Sequence, residues 1–412
     1  MGDEMDRHME TYTFFAPTRV LFGPGKLAEL GDQALPGRRA LVVTTGGRSV
    51  KANGYLARVE AELDRAGVTH VLFDRIEPNP LRETVNAGGW LARTEGCDFV
   101  LALGGGSVMD GSKGICAVAT NPHHDPAGAE VPGDIWDFVV GGTALGRHIE
   151  HDPLPLVCVT TTAGTGSEVD AGGVISCEQN DEKLRLGDPR LFSRLSVVDP
   201  ELMVTVPAKL TAYQGFDALF HNVECFISNV RTLMGDMVCR EGIRNAAAAL
   251  PTCVNQGDDL AARTQLAFAN TLGGYAMVCS GTTGCHGTEH GMSAHHHKLP
   301  HGAGLIMIAA AYHTHMIHAH ACDDRYVEMA RLMGATDAEL AERGPLAFID
   351  ELDRLKRACH VDELRMSDWG ITREELPDIA ANALETNGAL FAHDPVRLSH
   401  DDVTAILEAS WR

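Results

Sequence analysis

The chain has 412 residues, of which 44% are hydrophobic, and a formal net charge of -22 at pH 7. This length is too great for one ordinary hydrophobic core, so we expect two domains, and the apolar fraction is typical of a globular protein rather than a disordered or membrane protein. Nucleic acids and anionic membranes need clustered Lys and Arg on their partners, so the acidic balance argues against both as partners.

The cysteines and the start of the chain bear on its compartment. Eleven cysteines are scattered through apolar segments without a CxxC pair, which predicts reduced core residues rather than a disulfide framework. The start, MGDEMDRHMETYTFF, lacks a basic segment followed by an apolar one, and no uncharged apolar stretch is long enough to span a bilayer. We therefore expect a cytoplasmic protein with no membrane partner.

From residue 39 onward, short β-branched runs alternate with amphipathic stretches. This alternation predicts a parallel sheet covered by helices, so residues 1–200 are expected to form an α/β dinucleotide-binding domain. The strand-like runs are ALVVTT (40–45), HVLFD (70–74), DFVLALGGGS (98–107), PLVCVTT (155–161) and LSVVDP (195–200).

Beyond residue 200 the pattern becomes helical. Apolar residues recur every three or four positions, GIRNAAAALP is rich in alanine, and ITREELPDIAANAL begins with a capping box formed by Thr372 and Glu375. Residues 201–412 are therefore predicted to form an all-helical domain. The segment NPHHDPAGAEVPG (121–133) is rich in turn formers and predicts an exposed loop.

A glycine-rich turn follows the most apolar strand. Gly104–Ser107 comes directly after Phe99–Leu103 and precedes a helix-like stretch that contains Asp110. Glycines at such a turn let backbone N–H groups approach a pyrophosphate at a helix N-terminus. The turn is not the GxGxxG fingerprint, so a tight turn without a ligand is the alternative.

A second polar loop, Thr160–Glu168, also follows an apolar strand and places hydroxyl donors beside flexible glycines. Loops at strand ends often carry binding residues, but an ordinary turn explains this composition equally well.

Carboxylate and imidazole side chains are concentrated in the second half of the chain. Asp217 and His221 are four residues apart in a predicted helix, so they share one face, although such a pair by itself is more often a surface contact. The segments Cys285–Met292 and Leu299–Gly302 add several histidines. One carboxylate and three imidazoles from these segments would make an iron or zinc site.

Four of these motifs occur in one order: GGGSVMD, TTAGTGSEV, GFDALFHNVE and HGTEH followed by LPHGAG. Together they resemble the iron-containing, or group III, alcohol dehydrogenase family and its butanol-dehydrogenase-like members, from FFAPTRVLFGPG to the C-terminus. The resemblance implies a dehydroquinate-synthase-like fold, in which an α/β dinucleotide-binding domain precedes a helical metal-binding and substrate domain.

The resemblance also implies a metal site and a proton-relay residue. The positions that match the family's metal ligands are Asp217, His221, His286 and His301. They imply bound Fe²⁺, with Zn²⁺ as the alternative. His290 matches a histidine that lies near the substrate and is implicated in proton relay, and the alternative is a residue of the pocket wall. His295–His297 stands where the family is commonly aromatic, and we interpret it as pocket wall rather than as a chelating group.

The resemblance carries over a set of cofactor-binding positions. The sequence departs from the family at Gly172, where an asparagine is often found, which weakens the mapping near the nicotinamide. The matching positions are Gly105, Gly106, Ser107, Asp110, Thr161, Thr162, Thr165 and Lys183.

The loop after the first predicted strand bears on the choice between NAD and NADP. Members that prefer NAD often have an aspartate there, whereas this chain has Thr45 followed by Gly46, Gly47, Arg48 and Ser49. The segment GGRSVKANG resembles the corresponding loop of NADP-using butanol-dehydrogenase relatives. We therefore predict that NADP is accepted as well as NAD, with Gly46, Gly47 and Ser49 at its site.

The function that the resemblance implies is interconversion of alcohols and aldehydes by hydride transfer to or from NAD(P), with the carbonyl oxygen polarised by the metal. The alternatives are glycerol-dehydrogenase-like polyol oxidation, which the TTAGTGSEV and GFDALFHNVE motifs disfavour, and a non-catalytic module that senses cofactor or metal. The resemblance further implies a homo-oligomer, a dimer or larger, with a small alcohol or aldehyde as substrate.

Overall fold

The computed structural model describes residues 11–412. The absence of a leader, predicted from the first fifteen residues, falls mostly on residues 1–10, which lie outside the described residues. The chain divides into two compact units. The α/β unit comprises residues 16–162 and 167–205, and the helical unit comprises residues 206–412, residues 163–166 and residues 11–15.

The α/β unit is built on a six-stranded parallel sheet with the strand order β1-β10-β7-β4-β2-β3. Two antiparallel strand pairs, β5 with β6 and β8 with β9, lie outside this sheet. The strands are β1 (Arg19–Phe22), β2 (Arg39–Thr45), β3 (Thr69–Ile76), β4 (Phe99–Gly104), β5 (His123–His124), β6 (Glu130–Val131), β7 (Leu156–Thr160), β8 (Gly172–Cys177), β9 (Glu182–Gly187) and β10 (Leu195–Val198).

Both faces of the parallel sheet are buried. On β2, Leu41 and Val43 belong to one apolar cluster, while Ala40 and Val42 belong to a second cluster on the opposite face. A strand buried on both faces needs a continuous apolar run rather than an alternating one, which explains why these strands are visible in the sequence. The helices of this unit are α1 (Ser49–Ala52), α2 (Tyr55–Arg65), α3 (Arg82–Thr94) and α4 (Gly106–Thr120).

The structure adds strands that the sequence pattern did not predict. The segment 121–133 is largely exposed, as expected, but it contains the short β5–β6 pair. The β8–β9 hairpin was missed because β8 begins with two glycines, which have low strand propensity. The edge strand β1 has only four residues, too few for a clear periodicity.

The C-terminal region is helical, as the fold class predicted. Its helices are α5 (Ala208–Ile227), α6 (Leu233–Asn255), α7 (Leu260–Cys279), α8 (Gly284–His295), α9 (His301–His318), α10 (Asp323–Met333), α11 (Asp337–Arg343), α12 (Ala347–Ala358), α13 (Leu376–Thr386), α14 (Gly388–Phe391) and α15 (His400–Ser410). Within residues 11–412, no helix has both the length and the apolar character needed to cross a membrane.

The predicted capping box at Thr372 and Glu375 was wrong in its position. Helix α13 begins at Leu376, and Glu375 is its N-cap residue. Glu375 accepts a hydrogen bond from the backbone N–H of Thr372, so half of the box forms ahead of the helix. The reason is Pro377, which has no N–H and fits only in the first turn of a helix.

Candidate active site

Three of the predicted cofactor loops begin at the same edge of the parallel sheet. Strands β4 and β7 are neighbours in register, with Gly104 opposite Thr160, and the N–H of Thr161 donates to the Gly104 carbonyl at 3.0 Å. Strand β2 lies on the other side of β4 and ends at Thr45. The carboxyl ends of these parallel strands therefore present the glycine-rich turn, the threonine loop and the Gly46–Ser49 loop side by side.

The glycine-rich turn connects β4 to α4. Gly105 is the N-cap residue, and Gly106 and Ser107 begin the helix. A Cβ on Gly105 would lie 2.6 Å from the Oγ1 atom of Thr162, so only glycine fits at this approach of the two loops. The backbone N–H groups of the first helical turn are available to an anion at this end of α4.

The predicted residues Asp110 and Lys183 are held within the α/β unit. The Asp110 carboxylate accepts hydrogen bonds from Ser167 Oγ at 2.6 Å and from the Val174 N–H at 2.9 Å. Lys183 is buried on β9, opposite Ser176 in the hairpin. Asp110 therefore ties the threonine loop and the β8–β9 hairpin to helix α4.

Lys113 is a residue that the sequence analysis passed over. It is fully buried, and its Nζ donates to the carbonyl and hydroxyl of Ser167, each at 2.8 Å, and to Asp170 at 2.7 Å. A buried ammonium needs such partners, so Lys113 organises the segment that follows the threonine loop. Its signal in the sequence was its place as the one Lys or Arg of this helix, seven residues after Gly106.

The Gly46–Ser49 loop is exposed, including the side chain of Arg48. Lys51, which follows it, forms an ion pair with Asp74 on β3. That pair lowers the pKa of Asp74 through the hydrogen bond from Lys51. Arg48 therefore offers its positive charge to solvent, whereas the charge of Lys51 is balanced within the chain.

The four predicted metal ligands come together in the helical unit. Asp217 and His221 lie one turn apart on α5, and the His221 Nε2 atom is 3.6 Å from Asp217 Oδ1. The Nε2 atoms of His286 on α8 and His301 at the start of α9 lie 3.4 and 3.5 Å from the same oxygen. Three imidazole nitrogens thus surround one carboxylate oxygen.

The chemistry of this cluster fits a divalent cation. Asp217 Oδ1 and His286 Nε2 are buried and have no hydrogen-bond partner among residues 11–412. Burial opposes ionisation of Asp217, but His221 and His301 outweigh burial and hold its pKa well below the usual range. Buried acceptor atoms that point at one another are costly without a cation between them, and carboxylate with imidazole is a ligand set suited to iron or zinc.

Each ligand imidazole contacts a hydrogen-bond acceptor through Nδ1. His221 donates to the carbonyl of Gly164 at 3.1 Å, and His286 contacts Glu224 Oε1 at 2.6 Å. His301 contacts the Glu289 carboxylate. The sequence analysis missed Glu224 and Glu289, although both lie inside the GFDALFHNVE and HGTEH motifs.

His290 lies beside the predicted metal ligands, with its ring centroid 5.4 Å from that of His301. Its Nδ1 is 3.0 Å from Oδ1 of Asn387, a buried residue between α13 and α14. An amide oxygen only accepts, so Nδ1 carries the proton and Nε2 carries the lone pair of the neutral ring. The neighbouring His295 and His296 contact the Gly291 carbonyl and Glu375, respectively.

Comparison with known proteins agrees with this geometry. A family model described as Iron-containing alcohol dehydrogenase matches residues 17–200, and one described as Fe-containing alcohol dehydrogenase family, C-terminal, matches residues 211–411. The chain belongs to the iron-containing alcohol dehydrogenase family. The resemblance inferred from the four motifs is thereby confirmed.

Individual relatives of this iron-containing alcohol dehydrogenase cover its whole length. The probable NADH-dependent butanol dehydrogenase 1 of Bacillus subtilis is 30% identical over 410 residues, covering 98% of this chain and 100% of the relative. The 1,3-propanediol dehydrogenase of Klebsiella pneumoniae is 29% identical over 409 residues, covering 97% of this chain and 99% of the relative. The crystal structure of an archaeal halo-thermophilic Red Sea brine pool alcohol dehydrogenase superposes with a TM-score of 0.90 at 31% identity, covering 97% of this chain and 99% of that chain.

These findings confirm the predicted fold class, a parallel-sheet unit with a helical unit related to the dehydroquinate-synthase-like fold. They also confirm the predicted enzyme class. The chain is a metal-dependent oxidoreductase that interconverts alcohols and aldehydes.

Proposed function

We propose that this iron-containing alcohol dehydrogenase interconverts short aldehydes and alcohols with NAD(H) or NADP(H), at a metal held by Asp217, His221, His286 and His301. The observation that carries the proposal is the placement of three imidazole Nε2 atoms between 3.4 and 3.6 Å from Asp217 Oδ1. We propose Fe²⁺ as the metal because of the family, with Zn²⁺ as the alternative that the same donors accept.

The metal, the cofactor and His290 have different roles in the proposed reaction. When bound, the metal supplies Lewis-acid chemistry that polarises the substrate carbonyl. A bound nicotinamide cofactor would supply or accept the hydride. His290 exchanges the proton of the substrate oxygen through Nε2, because its Nδ1 is occupied by Asn387.

The cofactor is proposed to bind at the carboxyl edge of the sheet. The pyrophosphate would meet the N-terminus of α4, a helix of 15 residues whose dipole favours an anion at this end. The residues proposed to line this site are Gly105, Gly106, Ser107, Asp110, Thr161, Thr162, Thr165 and Lys183.

We further propose that NADP is accepted, with its additional phosphate near Gly46, Gly47 and Ser49. The exposed guanidinium of Arg48 supports this assignment, whereas relatives named NADH-dependent butanol dehydrogenase support use of NAD. Arg48→Ala should lower kcat/KM for NADPH about tenfold, the loss of one charge-assisted hydrogen bond, and leave kcat/KM for NADH unchanged. Lys26→Ala, at a half-buried residue that pairs with Glu29, is the control. A strong wild-type preference for NADH would contradict the proposal.

The activity is tested by anaerobic oxidation of NADPH and NADH with propanal to hexanal as substrates. Fe²⁺-loaded, Zn²⁺-loaded and chelator-treated protein are compared. We expect turnover that depends on the metal, and the most active combination identifies metal and cofactor together. If protein that binds metal and NADPH reduces none of these aldehydes, the result would instead favour a specialised substrate or a sensing role.

A diol is the second candidate substrate. The identity with the 1,3-propanediol dehydrogenase of Klebsiella pneumoniae favours it. Oxidation of 1,3-propanediol, glycerol and 1-butanol should be compared. A dehydrogenase of simple alcohols should have a higher kcat/KM for 1-butanol than for 1,3-propanediol or glycerol, whereas a diol dehydrogenase should not.

We also propose a cytoplasmic location, a homo-oligomeric assembly of two or more subunits, and a domain division into residues 1–200 and 201–412. All eleven cysteines are free thiols and nine of them are buried, which supports a reducing compartment. Light scattering coupled to size exclusion measures the number of subunits directly.

A further inference from the structure

We infer that Glu224 and Glu289 are positioning residues for the metal centre, holding His286 and His301 so that their Nε2 atoms face Asp217. The inference rests on the proposed metal binding and extends it to two carboxylates that the predicted ligand set does not include. Both carboxylates are fully buried. Each carboxylate pairs with a histidine of the predicted ligand set, Glu224 with His286 and Glu289 with His301.

Glu224 connects two helices that carry ligands. It lies on α5, two turns after Asp217, and its Oε1 contacts Nδ1 of His286 at 2.6 Å. Its Oε2 accepts hydrogen bonds from the N–H and Oγ1 of Thr283, at 2.9 and 2.8 Å, and from the N–H of His286 at 3.3 Å. These N–H groups belong to the N-terminus of α8. Glu224 thus caps the helix that bears His286 and orients the His286 ring at the same time.

Glu289 orients the ring of His301 in the same way. It lies on α8, three residues after His286, and its carboxylate contacts Nδ1 of His301 at the start of α9. Gly304, one turn further along α9, makes room for it, since a Cβ there would lie 2.7 Å from Glu289 Cγ and 3.0 Å from its Oε1. The close approach of α9 to the Glu289 side chain therefore depends on glycine at position 304.

The direction of these contacts decides which ring nitrogen faces the cluster. Because the carboxylates accept from Nδ1, the lone pair of each neutral ring lies on Nε2, the atom 3.4 or 3.5 Å from Asp217 Oδ1. A carboxylate on the far nitrogen also raises the basicity of an imidazole ligand, and such partners commonly change metal affinity about 10- to 100-fold. At His221, the Nδ1 atom contacts the neutral carbonyl oxygen of Gly164 instead of a carboxylate.

A purely structural role for Glu224, as the cap of α8, makes a different prediction. Glu224→Gln retains one oxygen, which can still accept from the N–H groups of Thr283 and His286, while its amide N–H₂ cannot accept from Nδ1 of His286. The substitution therefore removes the charge and the imidazole contact but keeps the cap. If capping is the whole role, the metal affinity of this variant will equal that of wild type.

The test measures Zn²⁺ affinity by competition with a chromophoric chelator, and the d–d absorption of the Co²⁺-loaded protein. We expect Glu224→Gln and Glu289→Gln each to lower Zn²⁺ affinity about 10- to 100-fold and to alter the Co²⁺ spectrum. Glu351→Gln is the matched control, because Glu351 is a buried carboxylate of the same unit that pairs with Arg354, and it should leave both readouts unchanged. Gly304→Ala, which displaces Glu289 without altering its charge, should lower affinity as well and serves if Glu289→Gln does not fold.

The outcomes separate this inference from the proposed function. Stoichiometric metal in wild type with unchanged affinity and spectrum in both Gln variants overturns the inference alone. Wild-type protein that takes up no Zn²⁺, Co²⁺ or Fe²⁺ overturns the proposed function and this inference with it.

Discussion

The imidazoles around Asp217 differ in the group that each Nδ1 contacts, and this difference separates their expected roles. His286 and His301 contact carboxylates, which make an imidazole a stronger electron-pair donor. His290 contacts the neutral amide oxygen of Asn387, which orients the ring without adding charge. The proton exchange proposed for His290 therefore takes place on a ring whose Nδ1 contacts a neutral group.

The role of His290 gives the first prediction. His290→Gln should lower kcat about 10²- to 10⁴-fold while leaving the metal content unchanged, because it removes a proton-exchanging group that is not a proposed ligand. Steady-state kinetics and metal analysis of the same preparation make the measurement. The control is His318→Gln, at an exposed residue of α9, which should stay within about twofold of wild type in kcat. Loss of metal from His290→Gln would show instead that His290 is a ligand.

The second prediction concerns the ligand set itself. His286→Ala should weaken metal binding at least about 100-fold, because it removes one of four donors and leaves Glu224 buried without its imidazole partner. Metal analysis after dialysis against a weak chelator measures this, with His318→Ala, at an exposed residue, as the control. Unchanged activity in metal-free His286→Ala would refute the proposed mechanism.

At the scale of elements, two turns at the carboxyl edge of the sheet depend on each other. The N–H of Thr161 donates to the carbonyl of Gly104, and Gly105 approaches the side chain of Thr162. A change in the β4–α4 turn therefore moves the threonine loop as well. The strand register that brings Gly104 opposite Thr160 places the two loops next to each other.

Gly105→Ala tests this dependence. The added Cβ would lie 2.6 Å from Thr162 Oγ1, so Thr162 must shift. We expect the Kd for NADH and NADPH to rise on the order of tenfold, equivalent to about 1.4 kcal/mol. Nicotinamide fluorescence measures both constants, and Gly187→Ala in the same unit, where a Cβ has no atom closer than 3.7 Å, is the control. Equal affinities for both variants would contradict the proposed cofactor site.

At the scale of the whole molecule, a buried histidine couples stability to pH. His313 is fully buried on α9 against the rings of Phe220 and Phe348, and its Nδ1 is 3.0 Å from the Tyr326 hydroxyl. Burial lowers its pKa to about 4, although Glu224 opposes the shift. The unfolded chain then binds a proton that the native chain does not, so this stabilising contribution is present above pH 6.5 and is lost as the pH falls towards 4. Its full size is roughly 3 kcal/mol.

His313→Gln should therefore flatten the pH dependence of the free energy of unfolding. Between pH 6.5 and 4.5 the wild-type slope should exceed that of the variant by up to about 1.4 kcal/mol per pH unit, the value for one proton. Urea unfolding at several pH values, followed by helix circular dichroism, gives both slopes. His318→Gln, at an exposed residue of the same helix, should retain the wild-type slope. Identical slopes for both variants would show that His313 is protonated equally in the native and unfolded states.

Several features could be predicted from the sequence because they are encoded among neighbouring residues. The apolar strand runs, the glycine turn after β4 and the pairing of Asp217 with His221 on one helix face each depend on a spacing of a few residues. Four motifs in one order were enough to predict the family. The start of α13 was predicted wrongly at Thr372, because the capping-box pattern was followed and the restriction imposed by Pro377 was not.

Other features depend on residues that are distant in the sequence. His286 and Glu224 are 62 residues apart, and His290 and Asn387 are 97 apart, so no local pattern indicates either contact. The sequence alone determined the fold class, the family and the identity of the candidate ligands, because local periodicity and motif order carry that information. Only the tertiary structure decided which buried group each imidazole contacts, because the packing of α5, α8, α9 and α13 sets the direction of every ring.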